Sequence, residues 1–493
     1  MGGTCAHESK RLHQWTLDIP DLDIDPPTQP LKWPTVSNNT YKILHLSDPH
    51  VQLDYSMGAS TDCGKAVCCS SSDPPPKDPN RVAGRFGDYH CDLPLPTLKA
   101  ILQDVKSKHL DVDFIFLTGD YPAHDVWRQD RQHNLAAAKA IVETVSEHFP
   151  GLPVFPAIGN HEAFPVNMFP VNDKEEVPKS YDPSWLYNSL GKVQYIHLYK
   201  KAKLHLILFA ADLYHHWLPD VNQQRTLRDS GYYSIKIKND TLRIVSINAN
   251  FCNNFNFWLL LNFNDPHHHL HWLYRQLHKA ELSKEKVYII GHIAPGLHSC
   301  LGRWSHEYNR LVRRFRNTIT GQFFGHTHLD EFEVFFNDEL NPISVAYLAP
   351  SQTPWMDQGL NPAYRIYVID SETHLPIDHQ TYFLDLEQAN RVGEAALALE
   401  YSARNDLNLA DMSPESWYNY VRQLHANDVA YQQFRNHYYR YGPEGDISPC
   451  EGDCKDQLLC SLLTSEAQLV EPPIQCQFEP KNQVSSWWQS LWQ

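Results

Sequence analysis

The sequence predicts an α/β fold with mixed β-sheets, and two patterns carry this prediction. Short apolar runs typical of buried strands alternate with amphipathic stretches from residue 41 onwards. Such alternation favours a domain in which helices cover the faces of a sheet. The second pattern is a hairpin, because the runs 232–237 and 242–247 flank the turn-forming pair Asn239 and Asp240. At least one sheet should therefore be mixed.

The elements follow in chain order. Strand-like runs occupy residues 41–47, 114–118, 154–158, 204–209, 242–248, 287–291 and 322–325. Apolar residues recur at helical spacing over 95–105 and again over 135–145, so a helix is predicted at each. After about residue 390 the strand signal fades and the chain becomes rich in alanine, leucine and aromatic residues. We therefore predict an α/β domain over residues 41–390 and a helical domain over 391–493.

Residues 17–40 are expected to form a proline-rich linker before the first strand. The prolines of this segment stand among acidic residues, with little apolar periodicity between them. This composition is typical of an extended connection between two domains.

Composition excludes several classes of protein. A chain of 493 residues with 42% hydrophobic and 20% charged residues is not wholly disordered, and we find no apolar run of about 18 residues that would span a membrane. The net charge of −16 argues against affinity for nucleic acid, and we expect a monomer. Full protonation of the 28 histidines would take the net charge from −16 to +12. That range is compatible with an acidic compartment.

Ten of the 11 cysteines fall into local groups, which suits five disulfides in a secreted or lumenal protein. Structural zinc is the alternative, but neither large group shows paired C-x-x-C spacing. Sequons at Asn38 and Asn239 agree with glycosylation along the secretory route.

Apolar runs at five places end in polar residues that suit divalent metals. These ends are Asp48-Pro49-His50, Gly119-Asp120, Gly159-Asn160-His161-Glu162, Gly291-His292 and Gly325-His326-Thr327-His328. In α/β folds, ligands bind at the carboxyl ends of strands, and a glycine beside a ligand lets the backbone turn sharply. One such piece would be weak evidence, because a lone histidine is more often structural. Five pieces together predict a metal centre made of carboxylate, imidazole and amide ligands.

This order of motifs resembles the calcineurin-like metallophosphoesterase family over roughly residues 41–370. The resemblance implies a sandwich of two mixed β-sheets flanked by helices, with two divalent metal ions, expected to be zinc. It implies that one metal is held by Asp48, His50 and His328, the other by Asn160, His292 and His326, and that Asp120 bridges them. Two cations about 3.5 to 4 Å apart can clamp a phosphate and generate a hydroxide that attacks phosphorus.

Residues 119–127 narrow the resemblance to the acid sphingomyelinase branch of the family. In that branch the histidine four residues after the bridging aspartate, here His124, assists the leaving group. His161, adjacent to a ligand but not a ligand itself, is the first candidate general acid. The alternative for His124 is a loop histidine bonded to backbone. In purple acid phosphatases a tyrosine lies three residues after the bridging aspartate, but Ala123 stands here, so that type of centre is not expected.

The same resemblance implies the cysteine pairing. The pairs are Cys63 with Cys68, Cys69 with Cys91, Cys252 with Cys300, Cys450 with Cys454, and Cys460 with Cys476. Acid sphingomyelinases carry a saposin domain before a proline-rich linker. We therefore interpret residues 1–16 as the end of such a module and Cys5 as the partner of a missing cysteine. A free surface thiol is the alternative.

The resemblance implies hydrolysis of sphingomyelin to ceramide and phosphocholine at acidic pH, by a lysosomal or secreted enzyme. A choline pocket usually offers aromatic faces and an amide or acidic group, so Asn167, Phe255, Trp355 and Tyr364 are candidates. The apolar run 257–261 is expected either to touch a membrane transiently or to pack against the body. One alternative is a sphingomyelinase-like phosphodiesterase acting on nucleotides or other soluble phosphate esters. Another is a non-enzymatic lipid- or metal-binding glycoprotein.

Overall fold

The computed structural model describes residues 16–20, 22–171, 184–191, 214, 217–218, 221–262, 264–356, 359–443, 449–467 and 473–477. Cys5, the predicted strand 204–209 and all of the interpreted saposin remnant except Thr16 lie outside these ranges. Within them, none of the helices is long and apolar enough to cross a bilayer.

The strands in chain order are β1 (Thr40–Leu46), β2 (Val51–Gln52), β3 (Leu93–Pro94), β4 (Val112–Leu117), β5 (Val154–Pro156), β6 (Tyr233–Ile237), β7 (Leu242–Ser246), β8 (Lys286–Ile290), β9 (Ile319–Phe324), β10 (Glu331–Phe336), β11 (Pro342–Leu348), β12 (Ala363–Asp370), β13 (Pro376–Phe383) and β14 (Ala398–Ser402). The α-helices are α1 (Leu95–Lys108), α2 (Arg131–His148), α3 (Ser184–Gly191), α4 (Val221–Ser230), α5 (His269–Leu282), α6 (Gly302–Arg314), α7 (Leu386–Val392), α8 (Ala403–Asp406), α9 (Pro414–Ala426), α10 (Asp428–Tyr438) and α11 (Asp453–Leu462).

The first sheet has the strand order β14-β13-β12-β1-β4-β5. Strands β1, β4 and β5 are parallel, with Leu46 opposite Leu117 and Leu117 opposite Pro156. Strands β12, β13 and β14 extend the sheet by antiparallel pairing. Most residues of β1 and β4 are buried, which is why both are nearly continuous apolar runs.

The second sheet has the order β10-β11-β9-β8-β7-β6. Its inner strands β11, β9, β8 and β7 are parallel, and β10 and β6 pair antiparallel at the two edges. The predicted hairpin is confirmed as β6 and β7, with Ile237 opposite Leu242. Both sheets are therefore mixed, as predicted.

Aromatic side chains join the two sheets face to face. The ring centroid of Phe116 on β4 lies 4.9 Å from that of Phe323 on β9 and 6.2 Å from that of Tyr288 on β8. The Tyr288 hydroxyl also forms a 2.8 Å hydrogen bond with the hydroxyl of Tyr41 on β1. Large aromatic rings bury much apolar area, so these contacts stabilise the interface between the sheets. The expected sandwich is confirmed.

The two helices predicted from apolar spacing are confirmed as α1 and α2. Leu98, Ile101 and Val105 are buried along one face of α1. Helix α2 begins after Asp130, whose carboxylate accepts the backbone N–H of His133 at 2.8 Å. Such a cap satisfies a donor that the first helical turn leaves unpaired.

The chain beyond residue 390 is not wholly helical. Residues 398–402 form β14, which pairs with β13 and places Tyr401 opposite Thr381 at the edge of the first sheet. The helices that follow pack on the second sheet, where the ring of Trp417 lies 4.4 Å from that of Phe332 on β10. The residues after 390 thus complete one sheet and cover the other. The domain boundaries themselves stay predictions.

The proline-rich segment is docked on the body in the part that the structure describes. Leu17 and Leu22 are buried, and Asp23 binds the guanidinium of Arg310 on α6 through two contacts of 2.8 and 2.6 Å. The Thr28 carbonyl accepts a hydrogen bond from Asn317 at 2.7 Å. Asp23, one of the acidic residues of the predicted linker, therefore pairs with a basic helix.

All five implied disulfides are present, with the predicted partners. Both sequon asparagines, Asn38 and Asn239, are exposed, and Asn239 lies in the turn between β6 and β7.

Candidate metal centre and active site

The seven predicted metal ligands meet at one edge of the sandwich. Each follows the carboxyl end of a strand: Asp48 and His50 follow β1, Asp120 follows β4, Asn160 follows β5, His292 follows β8, and His326 and His328 follow β9. The carboxyl ends of parallel strands open at the same edge of a sheet. Each sheet therefore supplies part of the ligand set.

Several of these ligands have a left-handed backbone conformation, which sets the direction of their side chains. Five of the seven have positive φ, namely Asp48 (49°), His50 (37°), Asp120 (59°), His326 (79°) and His328 (67°). Each non-glycine residue in this region costs roughly 1–3 kcal/mol, a strain that clusters at functional sites. The surrounding fold therefore maintains a conformation that the residues alone would not choose.

Two glycines allow the ligand turns to approach one another. A Cβ on Gly159 would lie 2.1 Å from an oxygen of the Asp120 carboxylate. A Cβ on Gly325 would lie 1.9 Å from the Ser47 hydroxyl. Only glycine leaves room for these contacts, which agrees with the reason for expecting glycine beside the ligands.

Backbone carbonyls orient three of the ligand imidazoles. Nδ1 of His50 lies 2.7 Å from the Pro122 carbonyl, and Nδ1 of His292 lies 2.8 Å from the Thr118 carbonyl. Nδ1 of His328 lies 3.2 Å from the Trp355 carbonyl. A carbonyl can only accept, so Nδ1 carries the proton and Nε2 presents its lone pair to the cluster. This support is typical of metal-binding histidines.

One group of ligand atoms converges between His50 and His328. Their Nε2 atoms lie 3.2 Å apart, and Asp48 Oδ1 lies 3.9 and 3.7 Å from them. Two nitrogens bound to one cation at 2.0–2.1 Å lie about 3 Å apart. This spacing therefore fits a metal ion.

A second group converges between His292 and His326. Nε2 of His292 lies 3.2 Å from Nδ1 of His326 and 3.0 Å from the side-chain oxygen of Asn160. Asp120 Oδ2 lies 3.0 Å from Nε2 of His292 and 3.5 Å from Nε2 of His50. One carboxylate thus touches both groups, as a bridging ligand must.

The charge states of the cluster also fit cations. Burial lowers the pKa of His326 to about 3 and holds the pKa of His50 and of His328 well below the usual range, so these rings are neutral. His292 differs: burial opposes its protonation, but the carboxylates of Asp120 and Asp48 raise its pKa to about 10. A divalent cation would compete with that proton, since metal binding requires the neutral ring. The donors present thus suit two divalent metals.

His124 is held by an aspartate that the sequence analysis missed. Nδ1 of His124 lies 2.8 Å from Oδ1 of Asp92, and the His124 backbone N–H donates to Oδ2 at 2.6 Å. The Thr353 hydroxyl donates to the same carboxylate at 3.0 Å. Asp92 is fully buried and directly follows Cys91, which was its only signal in the sequence. The pair fixes the proton on Nδ1 of His124.

Aromatic rings sandwich His124 inside the cluster. Its ring stacks on His50, with centroids 3.8 Å apart, and on Trp355, with centroids 4.1 Å apart. The Trp355 indole N–H donates to the Ala66 carbonyl at 2.9 Å. The backbone-bonded alternative for His124 is thus wrong, because its side chain bonds a carboxylate.

His161 lies in the same cluster with different surroundings. Its backbone N–H donates to Asp120 Oδ1 at 2.8 Å, and its ring centroid is 4.9 Å from that of His50. Nδ1 is buried without a hydrogen-bond partner among the described residues, and burial lowers the pKa of the ring to about 4. His161 is therefore neutral at mildly acidic pH when no cofactor or substrate adds charge.

Glu162 closes the predicted motif Gly159-Asn160-His161-Glu162 but had no role assigned there, and in the structure it supports the turn that carries Asp120. Its carboxylate accepts the backbone N–H groups of Tyr121 at 2.7 Å and Asp120 at 3.2 Å. Burial, with the nearby charge of Asp120, raises the pKa of Glu162 to about 8.

The cluster opens into a cleft of about 290 Å³ that includes only part of the predicted substrate pocket. The cleft is lined by Asp120, His124, Asn160, His161, His326, Thr327, His328, Trp355 and Met356. Asn167 sits beside it, since its backbone N–H donates to the Asn160 carbonyl at 3.0 Å. Phe255 lies on a loop near the rim and is 56% exposed.

Tyr364 is not one of the lining residues. It is fully buried, its hydroxyl donates to Asp104 on α1 at 3.0 Å, and its ring stacks on Tyr382 at 5.0 Å. Successive residues of a strand point to opposite faces, and Tyr364 points to the helical layer. The prediction that Tyr364 lines the substrate pocket is wrong.

Comparison with known proteins identifies the family. The profile of the calcineurin-like phosphoesterases matches residues 41–330. The chain belongs to the calcineurin-like phosphoesterase family. The profile of the acid sphingomyelin phosphodiesterase C-terminal region matches residues 341–471, which confirms the acid sphingomyelinase branch.

Individual relatives agree with the family assignment. Sphingomyelin phosphodiesterase of Homo sapiens is 38% identical over 502 residues, covering 100% of this chain and 73% of the relative. Sphingomyelin phosphodiesterase B of Dictyostelium discoideum is 34% identical over 451 residues, covering 89% and 65%. A cyclic GMP-AMP phosphodiesterase of Rattus norvegicus is 30% identical over 433 residues, covering 85% and 88%. The predicted enzyme class, a phosphoric diester hydrolase, is confirmed.

Proposed function

We propose that this member of the calcineurin-like phosphoesterase family hydrolyses sphingomyelin at acidic pH with two zinc ions. Water and sphingomyelin would give phosphocholine and ceramide, with cleavage of the bond between phosphorus and the ceramide oxygen. The observation that carries the proposal is the 38% identity over the whole chain to human sphingomyelin phosphodiesterase. The ligand atoms that converge around His50 and His328, and around His292 and His326, also support it.

In this proposal the two groups of ligand atoms are the two metal subsites. Asp48, His50 and His328 would hold one ion, and Asn160, His292 and His326 the other, with Asp120 between them. When bound, the two cations would hold the phosphate and activate the attacking water. The mixture of imidazole and carboxylate donors favours zinc, which elemental analysis of the purified protein would test.

His124 is the proposed proton donor to the ceramide alkoxide. Its Nδ1 faces the Asp92 carboxylate at 2.8 Å, which orients the ring in the cleft that it lines. His161 stands second, because burial lowers its pKa to about 4 and its Nδ1 has no carboxylate partner among the described residues.

Trp355 is the proposed wall of the choline subsite. It lines the cleft and its ring is held by the His124 stack and the Ala66 carbonyl. A rigid indole face attracts a quaternary ammonium group. Asn167 and Phe255 are proposed as outer contacts on the rim.

We also propose transient contact with a membrane surface through a rim patch formed by Phe255, Phe257, Leu260 and Leu261. These side chains are 56%, 61%, 80% and 57% exposed. The patch adjoins the cleft through Ser299, which accepts the Asn254 backbone N–H at 2.8 Å and lies 3.3 Å from Nε2 of His326. An exposed apolar loop beside the cleft suits a substrate that resides in a bilayer.

Five disulfides and two exposed sequons support a secreted or lysosomal location and glycosylation at Asn38 and Asn239. We propose a monomer that binds no nucleic acid, in keeping with the net charge of −16.

The deciding experiment incubates the purified, metal-loaded protein with sphingomyelin and with ATP across about pH 4.5 to 7.5. The proposal expects phosphocholine release to exceed phosphate release from ATP, with the larger rate on the acidic side. The 30% identity to a cyclic GMP-AMP phosphodiesterase supports the alternative, a soluble phosphate ester as substrate. Faster hydrolysis of ATP or a cyclic dinucleotide would refute the assignment of sphingomyelin as substrate.

A further inference from the structure

We propose that the start of α5 carries a separate binding site for a transition-metal ion, formed by Asp265, His268 and His271. One ligand atom from each residue lies within 4.8 Å of the other two. None of these residues belongs to the candidate metal centre. Two imidazoles with one carboxylate suit Zn²⁺ and similar first-row cations.

The carboxylate of Asp265 is already fixed in place. It accepts the backbone N–H of Leu270 at 2.6 Å and of His271 at 3.2 Å, and it faces Nδ1 of His271 at 2.6 Å. Its side chain is only 3% exposed. Each carboxylate oxygen has two lone pairs, so Oδ1 keeps one for a metal after accepting from Leu270. A cation would thus meet a preorganised ligand.

The two histidines lie close together at the start of α5. His268 directly precedes the helix with left-handed backbone (φ 53°), His271 lies in the first helical turn, and their ring centroids are 6.3 Å apart. Ligands bound at 2.0–2.2 Å to one cation can lie at most about 4.4 Å apart. The three ligand atoms lie within 4.8 Å of one another, so small rotations of the rings would bring them to bonding distance of one cation. Both rings reach solvent.

The simpler explanation is that Asp265 only caps α5 and pairs with His271. That explanation gives His268 no role. The other histidines of the run face elsewhere: Nε2 of His267 lies 3.1 Å from the Pro170 carbonyl, and the buried ring of His269 stacks on Tyr232. His268 alone among these neighbours turns toward the Asp265 and His271 pair, so it is the diagnostic residue.

A metal ion here would connect two parts of the cleft's surroundings. Asp265 ends the loop that bears the rim patch, and His271 lies within α5. A cation bound to both would tie the end of that loop to the helix. Binding to the folded state alone would also raise the unfolding temperature, with an increment that grows with the logarithm of the zinc concentration once the site is mostly filled.

The test counts zinc per chain by elemental analysis after dialysis of the full, metal-loaded protein against micromolar zinc at about pH 7.5. His268→Ala is compared with His278→Ala, which removes another histidine of α5, one whose ring stacks on Tyr274 at 5.6 Å. The wild type and His278→Ala should hold a third equivalent. His268→Ala should weaken that equivalent at least about 100-fold and abolish the extra zinc-dependent rise in unfolding temperature.

Three results would overturn the inference. These are a third equivalent retained in His268→Ala, its equal loss in both variants, and no third equivalent in the wild type. Hydrolysis should be unchanged in His268→Ala, because the residue does not touch the cleft. Failure of the sphingomyelin assay would leave the zinc count unaffected, so the two proposals can fail separately.

Discussion

Replacing Asp92 with asparagine should slow the reaction only when the leaving group is a poor one. The buried carboxylate holds His124 through contacts of 2.8 Å to Nδ1 and 2.6 Å to the backbone N–H. Asparagine keeps the size and one acceptor oxygen but removes the negative charge. The charge-assisted hydrogen bond that orients His124, the proposed donor to the leaving alcohol, is then replaced by a weaker neutral one.

The expected loss follows from the contact that changes. A hydrogen bond to a charged group contributes roughly 1.5–3 kcal/mol, so turnover of sphingomyelin should fall roughly 10- to 150-fold. A nitrophenyl ester of phosphocholine releases a weakly basic phenolate that needs little proton donation. Its turnover should stay within about threefold of the wild type.

The assay measures kcat/KM for both substrates in detergent, together with metal content. Thr353→Val is the matched control, because it removes the neutral donor that contacts Asp92 at 3.0 Å and leaves the carboxylate intact. The reasoning is refuted if Asp92→Asn lowers kcat/KM equally for both substrates while the metal content is normal. Equal losses would mean that Asp92 supports the fold of the cleft rather than proton transfer.

Three further predictions concern the metals, the pH dependence of stability and the membrane. Asp120→Ala should lower activity by several orders of magnitude and remove at least one metal ion per chain relative to the wild type, measured by elemental analysis; normal values for both would contradict the bridging role. Burial holds the pKa of His379 well below its usual range, and the charge of Arg365 lowers it further. As the pH falls below about 6.5, His379 therefore binds a proton in the unfolded chain but not in the folded one. Between about pH 7.5 and pH 5 the free energy of unfolding of the wild type should therefore fall by about 2 kcal/mol more than that of His379→Phe. A difference between the two free energies, measured by urea unfolding, that does not change with pH would contradict this. Leu260→Ser should reduce hydrolysis of sphingomyelin in vesicles but not in detergent micelles, whereas Leu282→Ser, 72% exposed on α5, should alter neither.

Much of the metal cluster could be predicted because its residues sit at fixed places along the chain. A ligand that directly follows a buried apolar strand must emerge at the strand's carboxyl end, as His292 does after β8. Asp92 has no such signal. Asp92 reaches His124 only because the loop after Cys91 folds beside the residues that follow β4, 32 residues away in sequence. An isolated aspartate in a loop does not indicate its partner.

Other features that the sequence did not reveal have similar causes. Tyr364 has the right residue type for a choline pocket, but strand alternation turns it toward Asp104 on α1. Strand β14 is only five residues long and follows a helix, so its pattern is too short to separate from helical sequence. The composition of the proline-rich segment predicts a linker, and only the position of Arg310 shows where Asp23 contacts the body.

The sequence by itself determined the alternation of strands and helices, the hairpin and the order of the ligand motifs, because these depend on local spacing. The cysteine pairing came from family resemblance. Tertiary structure decided which side chains face the cleft, that Asp92 holds His124, and that residues 398–402 complete the first sheet. These features depend on contacts between distant segments, whose geometry is set by how the two sheets pack and is not encoded in any one stretch of sequence.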